Sequence, residues 1–151
     1  PKYDGPFSKL SDILENDNID EEFYISKSDE PKWKEHKGAK KITRITKEGY
    51  EYNFSEGSMR YPDDLDKSSR TIITSEGGAT PSRFKHVIEC KDKRKRRLTP
   101  FELEKLNMFP DDFTELNDIT NTKRAFFMGN ALVIGIVEKL GNSLSNILSK
   151  L

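Results

Sequence analysis

Apolar residues recur along this chain in short groups of differing period, and each group predicts an element. Leu10, Ile13 and Leu14 fall at i, i+3 and i+4 behind Ser8, a residue suited to capping, so a short amphipathic helix is expected over 7–15. The polar run from Asn16 to Glu22 predicts a loop, and Phe23-Tyr24-Ile25 a short extended piece. Trp33 stands alone in a basic stretch, which it is placed to anchor. The segment from Ile42 to Phe54 predicts a hairpin turning at Lys47-Glu48-Gly49. Residues 55–69 read as a loop, and the β-branched run Thr71-Ile72-Ile73-Thr74 as a strand. A Gly-containing loop over 75–82, a strand from Phe84 to Cys90 and a charged turn over 91–95 follow.

Helical signals dominate the last third. Thr99 is a cap, Pro100 sits at the first helical position, and Glu102 completes a capping box. Leu98 and Leu103 occupy the two staple positions, and the helix should stop before Pro110. A C-terminal helix is expected from near Asn130. Val133, Ile136, Val137, Leu140, Leu144, Ile147, Leu148 and Leu151 form one stripe on it, opposite Glu138, Lys139, Asn142, Ser145, Asn146 and Ser149. Gly141 is a point where it could break or bend. A face this long must pack on something, and the β-rich region before it is too polar to cover it all.

Composition sharpens that point. Hydrophobic residues make up 33% of the 151 positions and charged residues 34%, with a mean hydropathy of −0.80. The length is that of one domain, but the core is thin for it, so part of the burial is expected to come from a partner. The start at Pro1 without an initiator Met points to an excised fragment.

Net charge is zero, yet the charges are segregated. Residues 1–31 carry nine acids and three bases, residues 32–47 seven bases and one acid, and residues 83–97 eight bases and two acids. Segregation of this kind fits a surface that faces a polyanion; it equally fits solvated, Lys-rich loops. Cys90 is the single cysteine, and His36 and His86 lie far apart without ligand spacing, so neither a disulfide nor a metal site is expected. There is no N-terminal apolar signal core and no uninterrupted run of about 18 apolar residues, so no membrane partner is expected and a soluble, reducing compartment is the default.

Three groups of residues carry a resemblance: Arg97-Leu98-Thr99-Pro100-Phe101-Glu102, then Phe109-Pro110-Asp111-Asp112-Phe113, then Gly129-Asn130-Ala131-Leu132-Val133. Their order and spacing resemble the C-terminal end of DNA cytosine-5 methyltransferases of the bacterial restriction–modification type. There an R-x-L-T-P-x-E helix start leads to a G-F-P-D-like segment and then to a G-N-[AS]-V-like motif. The resemblance spans residues 65–141 well and 7–33 loosely; 34–64 carries little of it.

The resemblance implies an α+β fold: a small, irregular antiparallel β target-recognition domain followed by helices, the last of which would dock on a missing Rossmann-like catalytic domain. It divides the chain into a target-recognition domain with its N-terminal connecting segment (1–98), a helix and hinge segment (99–124), and a helix completing the catalytic domain (125–151). It implies that the parent protein transfers a methyl group from S-adenosylmethionine to cytosine C5 in a short duplex site, protecting that site from a cognate endonuclease in the bacterial cytoplasm, in association with the nucleoid.

The family's catalytic parts are a Gly-rich cofactor loop, a Pro-Cys nucleophile and a Glu-Asn-Val acid, and none is found here. Cys90 follows Glu89 rather than Pro and lies on an expected strand, where a buried structural thiol is the plain reading. Glu15-Asn16-Asp17 has Asp where the family has Val. No catalytic residue is therefore assigned, and this stretch alone should transfer no methyl group.

What the resemblance does place here is base recognition. One loop maps on to Ser75-Glu76-Gly77-Gly78-Ala79-Thr80-Pro81-Ser82-Arg83, and another on to 56–61, with Ser58, Arg60 and Tyr61 as candidates. Arg60 or Arg83 could pair bidentately with guanine, Glu76 could accept from cytosine N4, and Gly77 and Gly78 would let backbone approach base edges. Ordinary surface turns are the alternative reading. Lys93, Arg94 and Lys95 and the bases at 32–47 would contact phosphates. Arg97 either joins them or braces the recognition strands. Asn130 and Ala131 would touch the methionine part of S-adenosylmethionine, from a helix N-terminus suited to a carboxylate; Asn130 as a plain helix cap is the alternative. The inserted Leu132 departs from the family pattern. The expected partners are double-stranded DNA and the missing catalytic domain. A non-catalytic DNA- or protein-binding module, or the recognition subunit of a two-chain methyltransferase, is the competing reading.

Overall fold

Among the described residues two short antiparallel ribbons, four α-helices and two 3-10 turns, joined by long irregular connections, make up the architecture. The computed structural model describes residue 5, residues 8–15 and residues 19–150. The helices are α1 (Glu30–Lys37), α2 (Pro100–Leu106), α3 (Asn121–Asn130) and α4 (Ile134–Leu148). The first ribbon pairs β1 (Lys40–Ile45) with β2 (Glu51–Glu56) in the register Lys41↔Ser55, Thr43↔Asn53, Ile45↔Glu51. The second pairs β3 (Ile88–Glu89) with β4 (Lys95–Arg96).

The hairpin expected over 42–54 is present, with Gly49 at φ +83° supplying the left-handed turn residue. Of the extended piece expected at 23–25, Phe23 closes a 3-10 turn, Glu21–Phe23, and the chain then lies along β4: Tyr24 bridges Arg96, Ile25 N–H donates to Lys95 O at 2.8 Å and Arg97 N–H to Phe23 O at 2.9 Å. The helix at 99 begins as its capping box predicts, with Thr99 N–H donating to Glu102 Oε2 at 2.9 Å and Glu102 N–H to Thr99 Oγ1 at 3.2 Å. Leu98 and Leu103 are both buried in the main core, beside Leu10, Ile88, Ala125 and Met128. A second, smaller core packs Trp33 of α1 on Ile25 and Val87, with Tyr61 at its edge.

Several expectations are corrected. The helix expected over 7–15 is a single 3-10 turn, Leu10–Ile13; Phe7 lies outside the described residues. Thr71–Thr74 is not a strand. Its neighbour in space is helix α3 rather than a strand edge: the backbone at Ile73–Thr74 lies against Gly129, Ile72 packs on the main core, and Thr71 and Thr74 stay exposed. Within 84–90 only Ile88 and Glu89 pair as strand. The amides of His86 and Val87 donate to the carboxylates of Glu76 and Asp63, which takes them out of any ladder. α1 was unforeseen, because mixed Lys, Glu and His leave only Trp33 and Lys37 on its buried side.

The C-terminal helix is two helices, α3 and α4, turning a corner at Ala131–Val133. α2 fixes that corner. Asn107 Nδ2 donates to Met128 O at 2.8 Å, and Ile134 N–H donates to Asn107 O at 2.9 Å. α4 then leaves the body of the domain. It runs unbroken through Gly141, and Ile136, Leu140, Leu144 and Ile147 stay between 57% and 65% exposed. Leu151 lies outside the described residues. By length and composition alone Asn121–Leu148 would pass for a membrane span. The corner divides it, however, and α3 buries Arg124, Ala125 and Met128 against protein.

Candidate nucleic-acid interface

Both candidate recognition loops meet at one buried guanidinium. Arg83 is 9% exposed. Its Nη1 donates to Gly38 O at 2.8 Å, its Nη2 to Gly57 O, and its Nε lies 3.5 Å from Glu56 Oε2. Gly38 lies just before β1 and Gly57 just after β2, so Arg83 ties both feet of the β1–β2 hairpin to the 75–83 loop. The 56–61 loop leaves from the same point. A guanidinium engaged in this way has no free fork for guanine, which corrects the expectation of Arg83 as a base reader.

The rest of the 75–83 loop is divided between inward and outward residues. Glu76 is 1% exposed; its Oε1 accepts from the amide of His86 and lies 2.8 Å from His86 Nδ1. Glu76 therefore offers no open oxygen to cytosine N4. Gly77 faces α3, where a Cβ would come within 2.6 Å of Ala125 Cβ. Lys85 Nζ donates to Gly78 O at 2.8 Å and Thr80 O at 2.7 Å, setting the loop's curvature from beneath. Ser75, Ala79 and Thr80 are exposed, Ser82 is half-buried, and Phe84 is 50% exposed just beyond. In the other loop Ser58 and Arg60 are exposed, Arg60 with only a surface pair to Asp64 at 2.9 Å. Tyr61 turns inward. Its hydroxyl is buried without a partner, and burial, then the nearby Glu30 carboxylate, pushes it up to about 12.

Beneath these loops lies a charged network that the sequence does not announce. Asp63 accepts from Arg70 Nε at 2.9 Å and from the Val87 amide at 2.8 Å, and it faces Lys37 Nζ at 3.8 Å. Lys37 is 1% exposed and donates to Lys85 O. Burial pulls its ammonium down to about 8, against the opposing pull of Asp63. Arg97, the residue left open between phosphate contact and bracing, braces. It is buried, Nη1 donates to Gly77 O at 2.6 Å, and Nη2 donates to Glu22 O at 2.5 Å.

The segregated charges are largely partners in space. Arg94 pairs with Glu21 at 2.8 Å and Asp92 at 2.7 Å, Lys95 with Glu30 at 2.8 Å, and Lys93 with Glu89 at 3.2 Å. Arg96 is buried on Glu102 at 2.6 Å. The acidic segment at 21–30 thus neutralises the basic β3–β4 turn, and the phosphate contacts expected of Lys93, Arg94 and Lys95 would compete with these pairs. Among the described residues Lys34, Lys40, Lys41, Arg44 and Lys47 make no ion pair, so a run of open bases sits on and beside the β1–β2 hairpin, interrupted by the unpaired Glu48 and Glu51; Lys27, Lys91, Lys105, Lys123 and Lys139 elsewhere are likewise without one.

Asn130 is the last residue of α3, not the first of a helix, and its Nδ2 donates to Phe126 O at 2.9 Å. Asn130 thus sits at the negative end of α3, while the positive end of α4 follows at Ile134, so the corner brings dipole ends of both signs together. Gly129, Ala131 and Val133 border a cleft of about 330 Å³ together with Arg70, Ile72 and Asn107. Cys90 lies at the β3–β4 turn, and among the described residues no group of His, Cys, Asp and Glu could hold a metal.

Comparison with known proteins gives this geometry its family. The model of the C-5 cytosine-specific DNA methylase family matches residues 4–146. The chain is 42% identical over 147 residues to the type II methyltransferase M.Sau3AI of Staphylococcus aureus, covering 97% of this chain and 34% of that protein. It therefore spans about a third of that relative's length. The fold is similar to S. pombe Dnmt2 methyltransferase (TM-score 0.66, 17% identity, 97% of this chain and 44% of that one). It is also similar to the Entamoeba histolytica methyltransferase EhMeth (TM-score 0.58, 18% identity, 93% and 41%). The mixture of helices with small antiparallel ribbons is thus shared with methyltransferase structures.

Proposed function

The chain belongs to the C-5 cytosine-specific DNA methylase family, and on that premise we propose that it is the target-recognition part of a DNA cytosine-5 methyltransferase. The observation that carries this reading is the convergence at Arg83: the 56–61 loop, the 75–83 loop and the feet of the hairpin all start from one buried clamp. Loops on one rigid mount can read adjacent base pairs in a single approach. Arg60, Ser58, Ser75, Thr80 and Ser82, with the partly exposed Glu56, are the side chains in the two loops with exposed or half-exposed polar groups, and Arg60 is the candidate for guanine.

The exposed face of α4 supports the second half of the reading. A free-standing module would not present Ile136, Leu140, Leu144 and Ile147 to water. They dock on a catalytic domain elsewhere in the protein, which supplies the nucleophilic cysteine and most of the pocket for S-adenosylmethionine. When bound, that cofactor supplies the methyl group. The Gly129–Val133 corner contributes Asn130 and Ala131 toward its methionine part. The whole protein then methylates one short duplex site in the bacterial cytoplasm and protects it from a partner endonuclease.

Bisulfite sequencing of DNA from a methylation-free host expressing the full-length gene tests this. Methylcytosine at one short recurring motif is the expected result. Soluble protein with cofactor present and no methylcytosine anywhere sinks it in favour of a binding module.

A further inference from the structure

We infer that the β1–β2 hairpin is a third reading element, which lays its Lys41, Thr43, Asn53 and Ser55 face into the major groove of duplex DNA. The inference rests on the target-recognition reading above and goes beyond the two loops from which that reading starts.

The first observation is that the hairpin stands clear of the fold. β1 is exposed along its length except at Lys40, and β2 except at Phe54 and Glu56. A two-stranded ribbon with no third layer is marginal in water. This one is held by its own side chains. Arg44 stacks on Phe54 at 3.9 Å, Thr43 Oγ1 donates to Asn53 Oδ1 at 3.1 Å, and the Tyr50 amide donates to Thr46 Oγ1 at 3.2 Å. Its feet are fixed by Arg83. The ribbon is therefore ordered and rigidly mounted, yet left uncovered.

The second observation is that its two faces differ. Strand alternation puts Ile42, Arg44, Tyr52 and Phe54 on one face, where the cation and ring pack together. The other face carries the cross-strand pairs Lys41↔Ser55 and Thr43↔Asn53, with Ile45 and Glu51 at the tip. Lys, Asn, Thr and Ser are the residue types that address base edges: Lys toward guanine O6 and N7, Asn toward adenine N6 and N7, the hydroxyls toward either. The Thr43 bond holds the Asn53 amide in one orientation, leaving its Nδ2 to donate outward. A docking site for protein would be expected to be apolar at its centre, and this face is not.

Charge agrees with the same occupant. Lys34 before the ribbon, Lys40 at its foot and Lys47 at its turn are without ion pairs among the described residues, as are Lys41 and Arg44, and these bases outnumber the unpaired Glu48 and Glu51 there, which suits phosphates beside a groove. A major groove about 12 Å wide accepts a two-stranded ribbon.

The test uses the full-length protein. Methylation rates would be compared on the cognate duplex and on duplexes carrying each single base-pair change. Lys41→Ala combined with Asn53→Ala should lower discrimination about ten- to hundredfold at one or two base pairs, with the melting temperature lowered only slightly, by the loss of one exposed bond to Thr43. Ile42→Ser combined with Tyr52→Ser, on the opposite face, should leave discrimination as it is. Wild-type discrimination in the Lys41/Asn53 variant overturns the inference, and would assign the hairpin to protein docking if the Ile42/Tyr52 variant instead loses stability in the intact enzyme. Failure of the underlying reading looks different: wild-type protein would then methylate no duplex at all.

Discussion

Gly129 of α3 leaves no room for a side chain against Thr74: a Cβ at that position would lie 2.5 Å from both the Thr74 amide nitrogen and its Cα. The glycine of the Gly-Asn-Ala motif is thus explained by helix-to-backbone packing before any cofactor is considered. That packing also holds the 71–74 segment that leads into the 75–83 loop. Gly129→Ala should destabilise the protein by about 1–3 kcal/mol, since the obstacle is backbone that cannot swing aside. Gly141→Ala is the control. Nothing lies within 4 Å of it in α4, so helix propensity alone acts and stability should rise by about 0.5–1 kcal/mol. Denaturant unfolding of the two variants checks the opposite signs.

Arg83 and Arg60 should separate fold from readout. Arg83→Ala strips the Gly38 and Gly57 carbonyls of their buried donor and should cost about 2–4 kcal/mol of stability, visible without DNA. Arg60→Ala removes only a surface pair with Asp64, so unfolding should be unchanged. In the full-length enzyme the same change should reduce discrimination at a guanine by about 1–3 kcal/mol. Equal unfolding curves for Arg83→Ala and wild type would refute the clamp.

Glu102 joins helix cap and core. Besides capping Thr99 it accepts from Arg96 at 2.6 and 2.7 Å and from the Glu15 amide at 3.0 Å. Glu102→Ala leaves a buried guanidinium unpaired and should cost about 3–5 kcal/mol, far more than the roughly 1 kcal/mol of a lost cap. Thermal melting of Glu102→Ala beside Thr99→Ala gives the comparison.

Lys37 predicts a pH dependence. Burial holds its ammonium at about 8 in the folded chain, below its ordinary value of 10.5. Between those two values the unfolded chain binds more protons than the folded one, so stability from this group rises with pH across that window. Below about pH 8 the lysine is charged in both states and the burial penalty is present in full. The stability of wild type relative to Lys37→Met should therefore increase between pH 8 and 10, measured by urea unfolding at each pH. A difference that stays flat or falls would contradict the shift.

The parts of the fold legible in the sequence are those in which a local rule decides. Thr99, Pro100 and Glu102 start a helix by hydrogen bonds that close within four residues. The 42–54 hairpin is set by its turn and by strand alternation. The parts that were not legible depend on what lies opposite. Thr71–Thr74 has strand-forming residues and no strand beside it. Asn130 can cap a helix at its start, but here the helix ends with it, because Asn107 pins the corner that follows. Arg83 and Glu76 carry the chemistry of base readers, and their burial is invisible in a list of residue types.

The sequence alone determined the family, through three motifs whose order and spacing are covalent facts, and it determined the amphipathic face of α4, because helical periodicity needs no partner to be read. Tertiary structure alone decided which charges remain open. Arg94 and Lys95 meet Glu21 and Glu30 across more than sixty residues of chain, and Coulomb attraction depends on distance in space rather than on position in sequence. Lys40, Lys41, Arg44 and Lys47 of the β1–β2 hairpin meet no such acid among the described residues, and the fold presents them beside the two loops anchored at Arg83.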